Sequence, residues 1–272
     1  MTAFNGALEF SPSRVGAMVR RYWYLLSASW PRILDLVYWP TVQMLMWGFL
    51  QMYVAQNAGF FARAGGVFIG SVLLWDILFR GQLGFSISFL EEMYAKNLAN
   101  IMMSPLRPIE FIAALMIMSV VRLSIGMIPV SLLAIAFFGF NLWALGLALA
   151  AFFVNLILTS WSIGIFVTGL LLRNGLGAES LAWTIMFLFL PLTCVYYPVA
   201  VLPQWLQYVA WALPPTYVFE GMRELLIDHV FRTDLMLEAF AFNAVLFAAA
   251  SAAFLALLHS ARENGSLLQV GE

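Results

Sequence analysis

Charge is what this chain has least of. From Leu123 to Leu172, fifty consecutive residues include no Asp, Glu, Lys, Arg or His. Charged residues are 10% of the whole and hydrophobic ones 63%, with a mean hydropathy of +0.91; a soluble domain averages about 25% charged. The uncharged run is roughly twice what one helix needs to cross a hydrocarbon core. It must cross, turn and cross back, and Gly139-Phe140-Asn141 is the turn-like cluster near its middle. A soluble fold is excluded.

Other shortages exclude chemistries. The single cysteine, Cys194, makes no internal disulfide. The single lysine, Lys96, lacks the preceding glycines of a GxxxxGK[ST] phosphate loop, so the usual ATP site is missing. The two histidines, His229 and His259, fall on opposite sides of the membrane in the topology below and form no shared metal site. Glu220, Glu224 and Asp228 share one helix without acid–base geometry, so no catalytic residue, metal or cofactor is assigned to this chain. A net charge of −1 gives nucleic acid nothing to bind. Residues 1–14 are mixed, and aromatic residues follow Arg20-Arg21 where a signal peptide would have an apolar core.

What is present reads as an all-α membrane protein, since no alternating strand pattern occurs. Six spans are expected, at about Leu36–Val54, Gly65–Phe85, Ile109–Phe138, Leu142–Leu172, Ser180–Tyr197 and Leu235–Leu258. An even number puts both termini on one side. With that side cytoplasmic, Arg14, Arg20, Arg21, Arg32, Lys96, Arg107, Arg173 and Arg262 lie inside, against Arg63, Arg223 and Arg232 outside. The positive-inside rule favours this orientation. The expected layout is a cytoplasmic N-terminus over residues 1–34, one transmembrane domain over 35–258 and a cytoplasmic tail over 259–272.

Three segments do more than span. In Ser11–Ser29, Val15, Met18, Val19, Tyr22, Trp23 and Leu26 repeat on one helical face, with Arg14, Arg20 and Arg21 mainly off it. This is a basic amphipathic helix lying in the interface, either as an anchor on anionic lipid or as a docking surface. In Phe89–Pro108, Leu90, Met93, Tyr94, Leu98, Ile101 and Met102 form a second helical face. Glu92 and Lys96 form an i, i+4 pair, and Ser104-Pro105 stops the helix. Here too both a resting loop helix and a docking helix fit. Pro198–Asp234 is rich in proline yet apolar, with Trp205, Leu206 and Trp211; such an outer segment should dip back into the membrane. Its Glu220 and Arg223 pair at i, i+3, bracing the loop or touching substrate.

Charges inside spans are costly and mark functional candidates. Asp76 and Arg80 are spaced to pair on one face of span two. Arg122 in span three has no local partner; Asp76, a carbonyl of another span or an anionic lipid-linked or amphiphilic substrate would suit it.

The three segments, in this order around the spans, resemble the membrane subunits of ABC-2 type exporters. The resemblance rests on Met103-Ser104-Pro105-Leu106-Arg107-Pro108 and on the ordered set Pro198, Leu202-Pro203, Trp205-Leu206-Gln207, Pro214-Pro215, Tyr217, Glu220 and Arg223. It implies a permease that pairs with a second permease copy and binds two nucleotide-binding ATPase subunits, which hold ATP and Mg. It implies that Phe89–Met103 is the coupling helix, with Glu91, Glu92, Tyr94, Lys96, Leu98, Ser104 and Pro105 facing the ATPase. Arg14, Arg20, Arg21, Tyr22 and Trp23 would form the interface helix beside it. Pro198, Pro203, Trp205, Pro215, Tyr217, Glu220 and Arg223 would belong to re-entrant helices closing the outer end. A multi-pass protein of a bacterial cytoplasmic (inner) membrane is expected. Family stretches before the SPL motif commonly hold Arg, Glu and Gly, whereas this chain has EEMYAKNLAN. A secondary transporter or channel would show internal repeats or several mid-span charges; no convincing repeat is found, and Asp76, Arg80 and Arg122 are the only candidates.

Overall fold

The computed structural model describes residues 10–57 and 66–263, and every described element is helical. Residues 1–9 and 264–272 of the expected tails, Gly65 and Arg63 lie outside the described residues, as do the side chains of Met102 and Arg262. Ten α-helices follow in order: α1 Pro12–Ser27, α2 Trp30–Asn57, α3 Val67–Tyr94, α4 Leu98–Met103, α5 Pro108–Phe138, α6 Leu147–Asn174, α7 Glu179–Leu192, α8 Gln204–Trp211, α9 Pro214–Ile227 and α10 Thr233–Glu263.

Five of these, α2, α3, α5, α6 and α10, are long and apolar enough to cross a membrane. They correspond to five of the six expected spans. The remaining one, Ser180–Tyr197, maps to α7, which has 14 residues. At 1.5 Å per residue α7 is about 21 Å long, short of a hydrocarbon core of about 30 Å. The chain leaves the helix at Thr193, and Cys194 takes a left-handed φ of 54°. Arg223 of α9 holds the chain beyond this end: its Nη1 donates to the carbonyl oxygens of Cys194 at 2.9 Å and Val195 at 3.3 Å, and Pro198 has no N–H with which a continuing helix could bond the Cys194 oxygen.

The long uncharged run breaks at the expected place. Gly139 closes α5 with φ of 66°, a conformation glycine adopts without a Cβ penalty. A short 3₁₀ turn, Leu142–Leu145, precedes α6 and is capped by the Asn141 side chain.

Burial arranges the helices. Within their most apolar stretches α3 is 94% buried, whereas α2 is 17% and α10 is 22% buried. The central helix α3 touches α2, α5, α6, α7 and α9, α10 runs along α6, and α1 lies across α5 and α2. Close approach uses missing side chains: a Cβ on Gly126 of α5 would sit 2.5 Å from the Leu36 carbonyl oxygen of α2. Between α6 and α10, Thr159 donates to the Asn243 side chain at 2.6 Å, and Asn243 donates to the Asn155 carbonyl at 2.9 Å. Among apolar helices, such polar contacts decide which faces meet.

Candidate functional site

Between α3 and α5 the chain turns back through α4. Phe89–Met103, expected as one helix, is split: its first part is the end of α3, and α4 starts at Leu98. Lys96 makes the break, exposed and in the left-handed region at φ 52°. The expected Glu92–Lys96 pair does not form, because Glu92 is buried against a different cation.

That cation is Arg21 of α1. Two guanidinium nitrogens of Arg21 donate to the Glu92 carboxylate, Nη2 at 2.9 Å, and Asn97 donates to the same carboxylate at 3.0 Å. About two helical turns earlier on α1, Arg14 donates to Glu110 of α5 at 2.6 and 2.8 Å, joined by the backbone N–H groups of Ser11 at 2.7 Å and Arg107 at 3.0 Å. Both carboxylates are buried, and their proximity raises the affinity of Arg14 and Arg21 for their protons. Glu110 also occupies the first turn of α5, where the helix dipole favours an anion.

Glu91 completes the set. It accepts from Arg32 of α2 at 3.1 Å and from Arg122 of α5 at 2.9 Å. Arg122 therefore pairs with Glu91 and not with Asp76, one of the partners expected for it. Three carboxylates and four arginines tie α1, α2, α3 and α5 together at one end of the bundle. Of the expected apolar face of α1, Val15, Tyr22 and Leu26 are buried, whereas Trp23 is exposed. Arg20 and Arg21, with Tyr24, line an open groove of about 540 Å³ on its other face.

The other coupling candidates scatter over this end. Leu98 is buried, Ser104 and Pro105 are exposed, and the Ser104 hydroxyl caps the Ile101 carbonyl at 2.6 Å. Tyr94 is exposed and its hydroxyl donates to Glu179 at the start of α7. Between α3 and α7 lies a cleft of about 200 Å³, lined by Leu90, Glu91, Tyr94, Glu179 and Trp183. Glu179, Arg32, Asn97 and Glu110 were not singled out from the sequence. Glu110 carried a signal all the same, as a carboxylate three residues after Arg107 at the start of an apolar run.

The segment joining α7 to α10 is organised differently. Glu220 accepts from the Val199 backbone N–H at 2.6 Å and pairs with Arg223 at 3.0 Å. Tyr217 donates to the Trp211 carbonyl at 2.8 Å and Thr216 to the Ala210 carbonyl at 2.7 Å. Pro203 caps α8, Pro215 lies buried in the first turn of α9, and Pro198 opens the short turn Val199–Val201. Trp205 stands out at the surface.

Deeper in α3, Asp76 and Arg80 approach to 3.5 Å, both buried, without a hydrogen bond to either Asp76 oxygen. They face each other along one helix side, as the i, i+4 spacing requires.

An apolar bundle with five helices long enough to cross a bilayer defines a polytopic membrane protein. The family model for ABC-2 type transporter matches residues 15–227, from α1 through α9. The chain belongs to the ABC-2 type transporter family and is a membrane permease component, a type of subunit that lacks its own ATP site and associates with an ABC ATPase subunit. No curated protein matches it.

Proposed function

We propose that this chain is the permease subunit of an ATP-driven exporter, paired with a second permease copy and with two ATPase subunits that bind ATP and Mg. In this reading both termini are cytoplasmic, in a bacterial inner membrane. The α7 helix, extended by the chain to Tyr197, serves as the fifth of six spans. The α3–α4 turn is the coupling element, α1 is the interface helix, and α8 and α9 are re-entrant helices that close the outer end.

The observation that carries this is the ion-paired end. A push on the α3–α4 turn meets Glu91 and Glu92, which are bound to Arg21, Arg32 and Arg122 on three other helices. Force at one turn therefore reaches α1, α2, α3 and α5 together. The abundance of exposed apolar and aromatic side chains and the few polar ones facing outward suit a hydrophobic, amphiphilic or lipid-linked substrate.

A tagged pull-down from mild detergent, with mass spectrometry and an ATPase assay of the eluate, tests the proposal. The expected result is a stoichiometric nucleotide-binding subunit. A chain that reproducibly purifies alone, even after crosslinking, overturns it and favours a secondary transporter or channel.

A further inference from the structure

We infer that the buried Asp76 carboxylate, together with the Gln43 side chain of α2, forms a seat for the amine head of a cationic amphiphile; this rests on the reading that the chain exports an amphiphilic substrate. Contacts on either side set the register of α2 against α3. The Ile69 N–H donates to the Gln51 side chain at 3.3 Å, and Trp47 stacks on Phe68 with ring centroids 6.2 Å apart. Further along, the Leu36 carbonyl oxygen and Arg80 Cδ converge on Gly126, 2.5 and 3.9 Å from where a Cβ would stand. Leu36, Gln43, Trp47 and Gln51 are spaced i, i+7, i+11 and i+15, which is one helical face. Gln43 therefore lies on the α2 face turned toward α3 and α5, level with Asp76.

What this level of the bundle lacks is hydrogen-bond donors. Both Asp76 oxygens and Gln43 Oε1 are buried and accept no hydrogen bond among the described residues; Asp76 is 0% exposed. The carboxylates of the ion-paired end are built differently, for Glu91, Glu92 and Glu110 each accept two or more. A structural pair in an apolar bundle is made that way, because an unmet buried acceptor is costly. Arg80 does not fill the gap. It stays 3.5 Å from Asp76, its Nε also lacks a partner, and it divides its charge between Asp76 and the exposed Asp35, the neighbour of Leu36. Arg122, one turn before Gly126 on α5, is held by Glu91. Three unmet oxygens match the three N–H donors of a primary ammonium. One turn along α2, the stack of Phe68, Trp47 and Tyr196 supplies a π-rich wall of the kind that attracts a cation, and the apolar helices beyond suit a hydrocarbon tail.

The test uses the full chain in lipid nanodiscs, with dodecylammonium as probe and dodecanol as its uncharged counterpart of equal chain length. Binding is read as the excess over empty nanodiscs. The wild-type chain is expected to bind dodecylammonium roughly tenfold or more tighter than dodecanol. Asp76→Asn keeps the shape, removes the charge and should abolish that preference. Gln43→Leu leaves every ion pair as it is, which keeps the test open where Asp76→Asn fails to fold; it should weaken dodecylammonium binding about threefold or more and spare dodecanol. Equal binding of the two probes by the wild-type chain overturns the inference. So does a preference undiminished in folded Asp76→Asn or in Gln43→Leu. Stabilisation of the wild-type chain by sodium over choline, lost in Asp76→Asn and without any preference for dodecylammonium, also overturns it and makes this an inorganic cation site. The binding needs no ATPase, so a chain that prefers dodecylammonium yet captures no ATPase keeps the seat and loses the exporter reading.

Discussion

The two organised regions of this molecule hold themselves together in opposite ways. At the α3–α4 end, side chains pair with side chains across long sequence distances: Arg14 with Glu110, Arg21 with Glu92, Arg32 with Glu91, Arg122 with Glu91. At the α8–α9 end, side chains mostly hold backbone: Tyr217 on Trp211, Thr216 on Ala210, Glu220 on Val199, Arg223 on Cys194, with Arg232 paired to Glu224 and Asp234 beside them. The first arrangement binds different helices into one body. The second fixes the shape of the segment between α7 and α10, whose α9 packs on α3, α6 and α10. A part that transmits movement benefits from the first, and a part that seals a path benefits from the second.

The sharpest way to break this contrast is to cut one pair at each end. Arg21→Ala leaves the buried Glu92 carboxylate with only Asn97, and should destabilise the fold by about 3 kcal/mol. Thermal unfolding in detergent should fall, and α1 should become protease-sensitive. An unchanged unfolding temperature would mean that α1 is not part of the body. Arg223→Ala should cost less, about 2 kcal/mol, and act locally. Because Cys194 is the only cysteine and is buried, maleimide labelling reads the effect on a silent background. Labelling should rise while α1 protection stays unchanged; loss of that protection would erase the distinction between the ends.

Smaller effects sharpen it. A double-mutant cycle of Glu91→Gln and Arg122→Gln should give a coupling energy of about 1.5 kcal/mol, readable in chemical unfolding. Strict additivity would show that α3 and α5 are not joined there. Tyr217→Phe removes one hydroxyl–carbonyl bond and should cost about 1 kcal/mol or less. Hydrogen exchange should quicken around Trp211 and not at the α3–α4 turn.

The sequence was most readable where one residue class decides the outcome. The uncharged run, its break at Gly139, the buried stripe of α1 and the stop at Ser104-Pro105 all follow from hydropathy or from backbone preference. The pairs that bind the ion-paired end were not readable, because Arg21 and Glu92 lie 71 positions apart and Arg14 and Glu110 lie 96 apart. Read locally, those arginines were only the polar side of an amphipathic helix. Lys96 failed as a partner for Glu92 for the same reason: helical spacing assumed a continuous helix, and the left-handed turn at Lys96 removed it. The turn after α7 was missed because Arg223, which holds the carbonyls of Cys194 and Val195 in it, arrives from almost thirty residues downstream.

The hydrogen bonds of Asn155 and Thr159 to Asn243 have a bearing on how the chain is assembled. A helix such as α10 is apolar on nearly every side, so lipid gives it no preferred rotation. Three polar side chains supply a keyway: with the helix turned by one residue, about 100°, Asn243 would face hydrocarbon with nothing to bind. This helix thus carries its own seating instruction, and a purely apolar replacement would insert as readily but settle without a fixed orientation.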